Sequence, residues 1–600
     1  MKKYKSTFLA VIAASAMASC SFLDKEPMYV VPENYFTTET ELMSALTGVY
    51  ADLAQSTFYG NDYLTLAGGD DLTCYAGSSG RISKVGIICN NANSGDPATT
   101  ALWFTLYNGI ERANLLIEKL NVATGISDDR RAQIGAEARF LRAFYYFNLV
   151  QNWGDVPFKT KSTVSTESVN GKDIACTPKD EIYEFIVKEM AEVADKDNGG
   201  LKSAAQLNYR PGHVSKSAAW GVLARVYLFW AGEYRRDKVA EPEGNKDKYV
   251  KAAEYAKLVM GEGHELAEDY WRPFMDMCSD QYNTTANESI WEVEFAGDGT
   301  GDVRAEGRVG NANGLICKDF SSQSNLKGAN DPGFSYGFLW STPKLYQIYQ
   351  ENGDRERFLW NLAPFTYKSH SNERGIEARV FTFEDEYKEV MESYGEYSYY
   401  YGVKGQAEKN DNKLEQKGDL YINESGKVIA EDEIPMNLCC GKFRREYEKA
   451  AKKNKNFTAI NFPVLRYSDV LLMLAEAENE VNEGPTELAK DCLKKVRERA
   501  GLKLPKNIES KVDFLNAIKN ERAMELCFEY TRRYDLIRWG DYIKAMNDIV
   551  QMALSSKQKL FKFGQQVAPF FAIPESYNYL PIPDSERAVN KLITKNNPGW

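Results

Sequence analysis

Helical periodicity dominates the first 275 residues of the chain. Apolar residues recur at intervals of three and four positions in five segments, which predicts amphipathic helices. A sixth helix is expected from Thr177, as an N-cap before Pro178 in the first helical position, to about Ala194. The pattern therefore predicts a mainly α-helical protein. The five segments span residues 40–53, 103–120, 128–151, 213–233 and 249–260.

Two pairs of predicted helices have the form of helix-turn-helix units. The first pair covers residues 213–233 and 249–260, and the second covers residues 466–481 and 487–500. Alanines recur along the first pair, and small side chains let two helices approach closely, as in tetratricopeptide repeats. A Gly-Pro turn separates the helices of the second pair. We therefore expect a tetratricopeptide-like helical repeat scaffold.

The hydrophobic pattern changes in the middle of the chain. This part is rich in Gly, Asn, Asp and Tyr, and residues 289–295 alternate in the manner of a strand. Residues 311–340 and 395–426 have the composition of long loops with short hairpins. Loops of this length are usually functional or disordered, and their aromatic content argues against disorder. The predicted organisation is a helical scaffold over residues 36–275 and 459–560, a loop-rich insertion with short strands over residues 276–458 that forms the ligand face, and a loop-like end over residues 561–600.

The N-terminus has the features of a secretory signal peptide. Three lysines precede an apolar stretch over residues 8–18, which is shorter than the roughly 20 residues that a membrane-spanning helix needs. Cys20 follows directly, in a context that resembles a bacterial lipobox. We expect residues 1–19 to be removed and Cys20 to carry lipid, which leaves residues 20–600 as a single anchored domain. The alternative is a soluble secreted protein that is cleaved at about the same point.

The acidic composition narrows the range of partners. The chain has 74 Lys and Arg residues against 85 Asp and Glu residues, a formal net charge of −11. Nucleic-acid binding requires clustered basic side chains, so a nucleic-acid partner is not expected. The cysteines after Cys20 show no framework spacing, which favours buried free thiols over disulfides.

Sequence motifs for common catalytic chemistry are missing. The chain has 3 histidines, none at the spacing of the zinc peptidases, which argues against a zinc hydrolase. No GxSxG elbow, Walker A motif or convincing dinucleotide fingerprint occurs. Residues 298–302 read Asp-Gly-Thr-Gly-Asp and could hold a structural calcium ion, but they lack the EF-hand pattern and a plain turn is the alternative. We expect no catalytic residues and no cofactor, with the calcium ion left open.

Six segments spread along the chain carry recognisable motifs. They are residues 135–147 (Gly-Ala-Glu-Ala-Arg-Phe-Leu-Arg-Ala-Phe-Tyr-Tyr-Phe), 153–157 (Trp-Gly-Asp-Val-Pro), 466–477, 521–540, 581–583 and 596–600. Together, and in this order, they resemble the SusD/RagB family of nutrient-binding lipoproteins. Tyr530 departs from the family pattern, which usually has glycine at that position.

The resemblance implies a fold, a function and a partner. Members of the family have a tetratricopeptide-like helical fold, bind glycans without chemistry, and serve a SusC-like TonB-dependent transporter of the outer membrane. By resemblance, we expect this chain to bind an oligosaccharide or polysaccharide, to deliver it to such a transporter, and to face outward on a lipid anchor at Cys20. A peptide or protein ligand is the main alternative, because a fold does not choose its ligand. A surface glycoside hydrolase is a further alternative, because an acidic chain offers many carboxylate pairs.

The charged residues of the C-terminal motif are expected to be structural. Residues 521–538 have the pattern of one helix, on which Glu529 could pair with Arg533 and Arg532 with Asp535. Buried charges without a partner are costly, so such residues require one. We expect an ion-pair network that joins the last helices.

Sugar recognition requires flat aromatic faces with polar groups beside them. Two loop clusters offer this combination, one in a Gly/Ser-rich loop and one around an Asp-Pro-Gly turn. For each aromatic residue, the alternative is that it packs beneath its own loop. A run of tyrosines at residues 397–401 could form a hairpin face, a partner surface or a further glycan-binding surface. The predicted ligand-binding residues are Asp70, Asp71, Tyr75 and Arg81 in the first cluster, and Asn325, Phe334, Tyr336 and Trp340 in the second.

Overall fold

Capping side chains mark the N-terminal ends of several of the first helices. Thr38 and Glu41 form a capping box at the start of α1, and the side chain of Ser127 accepts a hydrogen bond at the start of α3. The first seven helices are α1 (Glu39–Ala51), α2 (Pro97–Lys119), α3 (Asp128–Trp153), α4 (Lys179–Val193), α5 (Lys216–Asp237), α6 (Lys246–Met260) and α7 (Arg272–Cys278). Six of them confirm predicted helices, although α2 begins six residues before the predicted start and α4 begins after Pro178 and not after a Thr177 N-cap. Helix α7 was not predicted.

The molecule is a computed structural model that describes part of the chain. The described residues are 35–61, 69–75, 90–163, 173–282, 285–297, 307–316, 333–362, 421–422, 428–429, 436–449, 453–555, 561 and 564–600. Cys20, Arg81, Asn325 and residues 298–302 and 397–401 lie outside them, so the predictions for these residues stay predictions.

The second half of the chain contributes nine further helices in the described part. They are α8 (Pro343–Asn352), α9 (Arg355–Asn361), α10 (Tyr467–Val481), α11 (Glu487–Arg499), α12 (Lys511–Leu526), α13 (Arg532–Trp539), α14 (Tyr542–Ser555), α15 (Gly564–Phe571) and α16 (Asp584–Val589). Helices α8 and α9 lie inside the stretch predicted to be loop-rich, and α15 and α16 lie inside the end predicted to be loop-like. The protein is mainly helical, as predicted, and the helices extend further than the sequence pattern indicated.

Short antiparallel strand pairs hold loop segments together. The strands are β1 (Thr73–Tyr75), β2 (Val156–Pro157), β3 (Cys176–Thr177), β4 (Ser289–Val293), β5 (Leu339–Ser341), β6 (Tyr421–Ile422), β7 (Val428–Ile429) and β8 (Phe462–Arg466). The pairs are β1 with β5, β2 with β3, β4 with β8, and β6 with β7. Strand β4 confirms the strand predicted at residues 289–295. The β1–β5 pair joins the two predicted ligand clusters.

The C-terminal motif does not form the single helix that was predicted. Helix α12 ends at Leu526, and Phe528 and Tyr530 adopt left-handed backbone conformations with φ of 62° and 63° before α13 begins. An α-helix cannot continue through residues with positive φ. The left-handed conformation also explains why the SusD/RagB pattern usually has glycine at the position of Tyr530. Glycine adopts this conformation without steric cost, whereas tyrosine does not.

Buried ion pairs connect Arg466 of β8 to Glu288, just before β4, and to the C-terminal motif, although the partners differ from those predicted. Arg466 is fully buried and donates to Glu288 at 2.6 Å, to Glu525 at 3.0 Å and to Glu529 at 2.7 Å. Glu529 therefore pairs across the fold and not with Arg533 one turn away. Burial alone would raise the pKa of Glu525, but Arg499, Arg466 and other cations hold it well below its ordinary range.

A continuous hydrophobic core connects residues from Phe36 to Ile593. The seven cysteines of the described part are free thiols, six of them buried, which agrees with the expectation from their spacing. Cys439 and Cys440 are among them and do not pair with each other. Among the helices that the structure describes, none is both long and apolar enough to cross a membrane.

Candidate functional site

Strands β1 and β5 bring the two predicted ligand clusters into contact. Tyr75 is opposite Leu339 and Cys74 is opposite Trp340 in the antiparallel register. The Tyr75 ring stacks on Phe338, with centroids 5.3 Å apart and planes 20° from parallel. Residues separated by more than 250 positions in the sequence therefore form one surface region.

An aromatic residue occupies every second position from Phe334 to Trp340. The Tyr336 ring contacts Phe334 edge-on at 4.7 Å and stacks on Phe338 at 5.0 Å. Alternate residues of an extended segment point to one side, but Gly337 has a φ of 57° and interrupts the extended backbone. The observed ring contacts, and not the alternation alone, therefore define the group. We call the contacting rings of Tyr75, Phe334, Tyr336 and Phe338, together with neighbouring Trp340, the aromatic face. The Trp340 indole is attached to this group by its N–H, which donates to the carbonyl oxygen of Gly337 at 2.8 Å. Tyr336 and Trp340 are half-buried, and the other three rings are buried beneath.

The amide side chain of Asn311 fixes the position of the aromatic face. Its nitrogen donates to the carbonyl oxygens of Phe334 and Lys455, each at 2.9 Å. Its own backbone carbonyl accepts from the Tyr336 N–H at 2.9 Å. Asn311 is fully buried, so these bonds are shielded from water. One side chain thus ties together three segments that are distant in sequence.

Polar and cationic groups surround the accessible ring of Tyr336. Its hydroxyl donates to the side-chain oxygen of Asn456 at 3.1 Å, and Asn456 is exposed. The Arg308 guanidinium lies 5.5 Å from the centroid of Tyr336. The Lys455 ammonium lies 5.1 Å from the centroid of Phe334. Rings with polar groups beside them are the arrangement that sugar recognition requires.

Asp70 and Asp71 lie behind the aromatic face, with their carboxylates bonded within the protein. Asp71 is fully buried and accepts two hydrogen bonds from Arg532, at 2.8 and 2.9 Å, and one from Lys344. One oxygen of Asp70 accepts from the N–H groups of Leu72 and Thr73 at 2.8 and 2.9 Å. These bonds shape the entry to β1. Direct ligand contact through either carboxylate stays a prediction that this geometry does not favour.

The two adjacent aspartates have opposite pKa shifts. Burial raises the pKa of Asp70 to about 7, and the charge of Asp71 adds to this shift. Burial acts on Asp71 in the same direction, but Arg532 and Lys344 outweigh it and lower the pKa to about 2. Asp71 is therefore the ionised member of the pair, and it connects β1 to the scaffold helix α13.

Sequence reasoning found part of this site and missed the rest. Phe338 connects the rings of Tyr75, Phe334 and Tyr336, and Trp340 lies in the neighbouring strand opposite Cys74, while a ligand-binding role for these residues stays a prediction. Arg81 and Asn325 lie outside the described residues. Phe338 was missed, although the alternation Phe-Ser-Tyr-Gly-Phe-Leu-Trp over residues 334–340 contains the signal. Three other contributors were also missed because only the folded chain brings them to the face: Arg308, Lys455 and Asn456.

An internal cavity lies within the scaffold, apart from the aromatic face. Its volume is about 50 Å³, and its lining includes Arg225, Arg522, Glu529 and Tyr530. A space of this size with polar walls accommodates a few water molecules, each needing about 10–15 Å³. It is too small for a sugar ring, so it is not a candidate ligand site.

Comparison with known protein families gives matches over both halves of the chain. A model of the SusD family matches residues 287–600, just over half of the chain. A second model, described as starch-binding associating with outer membrane, matches residues 21–228.

Individual relatives are similar over the whole chain or over part of it. SusD-like protein P2 of Formosa agariphila is 25% identical over 617 residues, covering 100% of both chains. The starch-binding protein SusD of Bacteroides thetaiotaomicron is 28% identical over 211 residues, which cover 33% of this chain and 34% of that protein.

Solved structures share the fold. A SusD homolog from Bacteroides thetaiotaomicron superposes with a TM-score of 0.73 at 24% identity, covering 95% of this chain and 98% of the other. A laminarin-binding SusD-like protein gives a TM-score of 0.64 at 22% identity, covering 94% of this chain and 100% of the other. The arrangement of helices is therefore that of SusD-like proteins.

Proposed function

This chain belongs to the SusD family, and on that premise we propose that it binds an oligosaccharide or polysaccharide through the aromatic face. The half-buried rings of Tyr336 and Trp340 would pack against the apolar C–H faces of pyranose rings. Asn456 and Arg308 would hydrogen-bond the hydroxyl groups that this contact removes from water, because unpaired polar groups are costly. The observation that carries the proposal is the row of contacting rings Phe334, Tyr336 and Phe338, with Asn456 hydrogen-bonded to Tyr336 at its edge.

The construction of the aromatic face supports a binding role. The buried rings of Phe334 and Phe338 pack against Tyr336, and the indole N–H of Trp340 is hydrogen-bonded to the backbone of Gly337. Little side-chain freedom therefore remains to be lost on binding. The hydrogen bonds of Asn311 fix the backbone beneath the rings. Such preorganisation favours affinity, because the side chains lose their conformational entropy on folding and not on binding.

The printed names of the relatives agree with this ligand class. One relative is a starch-binding protein, and one protein of the same fold binds laminarin. Another solved structure of this fold, a surface glycan-binding protein from Bacteroides thetaiotaomicron, contains laminarihexaose. A glycan is therefore the ligand class to test first, and these identities are too low to transfer a particular glycan.

We propose further that the chain acts at the outer membrane as the partner of a transporter. Lipid on Cys20 would anchor it, with the protein facing outside, and a SusC-like TonB-dependent transporter would receive the glycan unchanged. The family model described as associating with the outer membrane supports this placement. Co-purification of the chain with a transporter from detergent-solubilised outer membranes tests the partnership, and surface proteolysis of intact cells tests the orientation.

A glycan array tests the binding function. The purified protein is compared with a Tyr336→Ala, Trp340→Ala double variant. Binding that the variant loses is the expected result. Binding that survives would retain a glycan ligand but place it away from the aromatic face. The absence of binding to any glycan would contradict the proposal and direct the search to peptides.

A further inference from the structure

Cations stand at the edge of the aromatic face in a protein that is acidic as a whole. The chain carries a formal net charge of −11, so its average field repels anions. At the aromatic face, however, the ammonium of Lys455 lies 5.1 Å from the Phe334 centroid and the guanidinium of Arg308 lies 5.5 Å from the Tyr336 centroid. Both positive groups therefore lie close to the rings proposed to hold a sugar.

The charge of Lys455 remains available to a ligand. Its side chain is exposed, and no carboxylate of the described part of the chain pairs with its ammonium. Its backbone is held in place, because the carbonyl oxygen of Lys455 accepts the hydrogen bond from Asn311. The cation is thus presented from a fixed point beside the aromatic rings.

The described carboxylates on the neighbouring segments do not offset this charge. Glu448 is buried, receives a hydrogen bond from Arg445 at 2.8 Å and accepts the N–H of Ala459 at 3.2 Å. Asp71 is buried between Arg532 and Lys344. A carboxylate that is buried against its own cation contributes little field at the surface, whereas an exposed cation attracts an approaching anion.

We propose that the aromatic face selects an anionic glycan, one whose pyranose rings carry carboxylate or sulfate groups. The inference rests on the proposed glycan-binding function and adds the ligand's charge to it. Rings of the glycan pack on Tyr336 and Trp340, and an acidic substituent pairs with Lys455. The shared chemistry is an oxyanion on a pyranose ring, and uronic acids and sulfated sugars both supply it.

Titration against matched glycans tests this selection. The anionic probes are polygalacturonate, alginate and chondroitin sulfate, and the neutral probes are laminarin, amylopectin and xyloglucan. We expect at least one anionic probe to bind more tightly than every neutral one, and the carboxylated and sulfated probes distinguish the two sources of charge. Raising the salt concentration is expected to weaken anionic binding, because salt screens exposed charge pairs.

Substitutions of Lys455 assign the effect to one side chain. Lys455→Gln removes the charge and is expected to weaken binding of the anionic probe about two- to fivefold, the range of an exposed ion pair. Lys455→Arg keeps the charge and should retain affinity. Lys188→Gln makes the same change of net charge on α4, where Lys188 is 73% exposed, and should have no effect.

The outcomes separate the two proposals. Tight binding of a neutral glycan that exceeds every anionic probe, unaffected by Lys455→Gln, would overturn the charge selection and leave the glycan-binding function standing. Equal losses from Lys455→Gln and Lys188→Gln would also overturn it, because net charge and not Lys455 would then be responsible. Binding of no glycan would overturn both proposals.

Discussion

The side-chain nitrogen of Asn311 donates to the carbonyl oxygen of Lys455 at 2.9 Å, across 144 positions of sequence. The same nitrogen donates to Phe334, so one amide group holds a ring-bearing segment and a cation-bearing segment together. Neither segment belongs to a regular element with its own ladder of hydrogen bonds. Buried Arg445 also bridges the two segments, since its guanidinium donates to the carbonyl oxygens of Phe334 at 2.7 Å and Phe457 at 3.2 Å. The geometry of the proposed site therefore depends on these two buried side chains.

Replacing Asn311 by alanine should damage both stability and binding. The carbonyl oxygens of Phe334 and Lys455 would lose a buried donor, at a cost of about 1–3 kcal/mol in the free energy of unfolding. Glycan affinity should fall as well, under conditions where the variant is fully folded. Urea denaturation and titration calorimetry measure the two effects. Asn547→Ala is the control, because Asn547 donates to a carbonyl on the exposed side of α14; unchanged binding by Asn311→Ala would contradict the account.

Asp70 should make the protein less stable as pH rises. Its pKa is raised from 3.8 to about 7 by burial, so the folded state binds a proton that the unfolded state releases between these values. The contribution is favourable at low pH and is lost as pH increases towards 7. Asp70→Asn has no such titration, so its stability relative to wild type should improve over this range, by on the order of 4 kcal/mol. A stability difference that does not change with pH would refute the assignment.

His213 should also make the protein less stable as pH rises, but here the stabilising form is a charged imidazole and not a neutral carboxyl group. Its Nδ1 lies 3.2 Å from the buried carboxylate of Glu137, and this hydrogen bond raises the pKa of the imidazole. The stabilising contribution of the charged ring is present below its unfolded pKa of about 6.5 and is lost as pH rises through the folded pKa. His213→Gln should therefore cost more stability at about pH 5 than at about pH 9. In a Glu137→Gln background, this difference between the two pH values should disappear.

Tyr530 combines an unfavourable backbone conformation with a favourable buried ring. Its φ is 63°, and its ring lies 5.4 Å from Phe462. Tyr530→Gly relieves about 1–2 kcal/mol of backbone strain but removes a buried aromatic side chain, which costs about 3–5 kcal/mol. A net loss of stability is expected in chemical denaturation. Tyr530→Phe keeps the ring and should have a smaller effect; a glycine variant as stable as wild type would show that the strain dominates.

The helical scaffold could be predicted because its signals are local. Helices α1, α3 and α10 lie within about two residues of their predicted bounds, since amphipathic spacing and terminal residues act within a few turns. The end of α12 could not be predicted in the same way. The left-handed conformations of Phe528 and Tyr530 are imposed by the surrounding fold, and neither residue type favours them.

Only part of the proposed site could be predicted, because some of its residues are brought together by the fold and not by their spacing in the sequence. Tyr336 and Trp340 could be chosen because loop aromatics beside polar residues suit a sugar. Lys455 and Asn456 reach the face from a segment about 120 residues away, through Asn311 and the Tyr336 hydroxyl. Conversely, Asp70 and Asp71 had the chemistry of ligand-binding residues, and the fold uses that chemistry internally, against backbone N–H groups and Arg532.

The most direct test of the account is titration calorimetry with the glycan that the array selects. The wild type is compared with Tyr336→Ala and with Tyr255→Ala, a control that removes a half-buried ring from α6, where Tyr255 packs against Tyr227. We predict that Tyr336→Ala weakens binding about tenfold or more, as expected for a central aromatic contact, and that Tyr255→Ala binds as the wild type does. Equal affinity of wild type and Tyr336→Ala for that glycan would contradict the central claim that the aromatic face is the binding site.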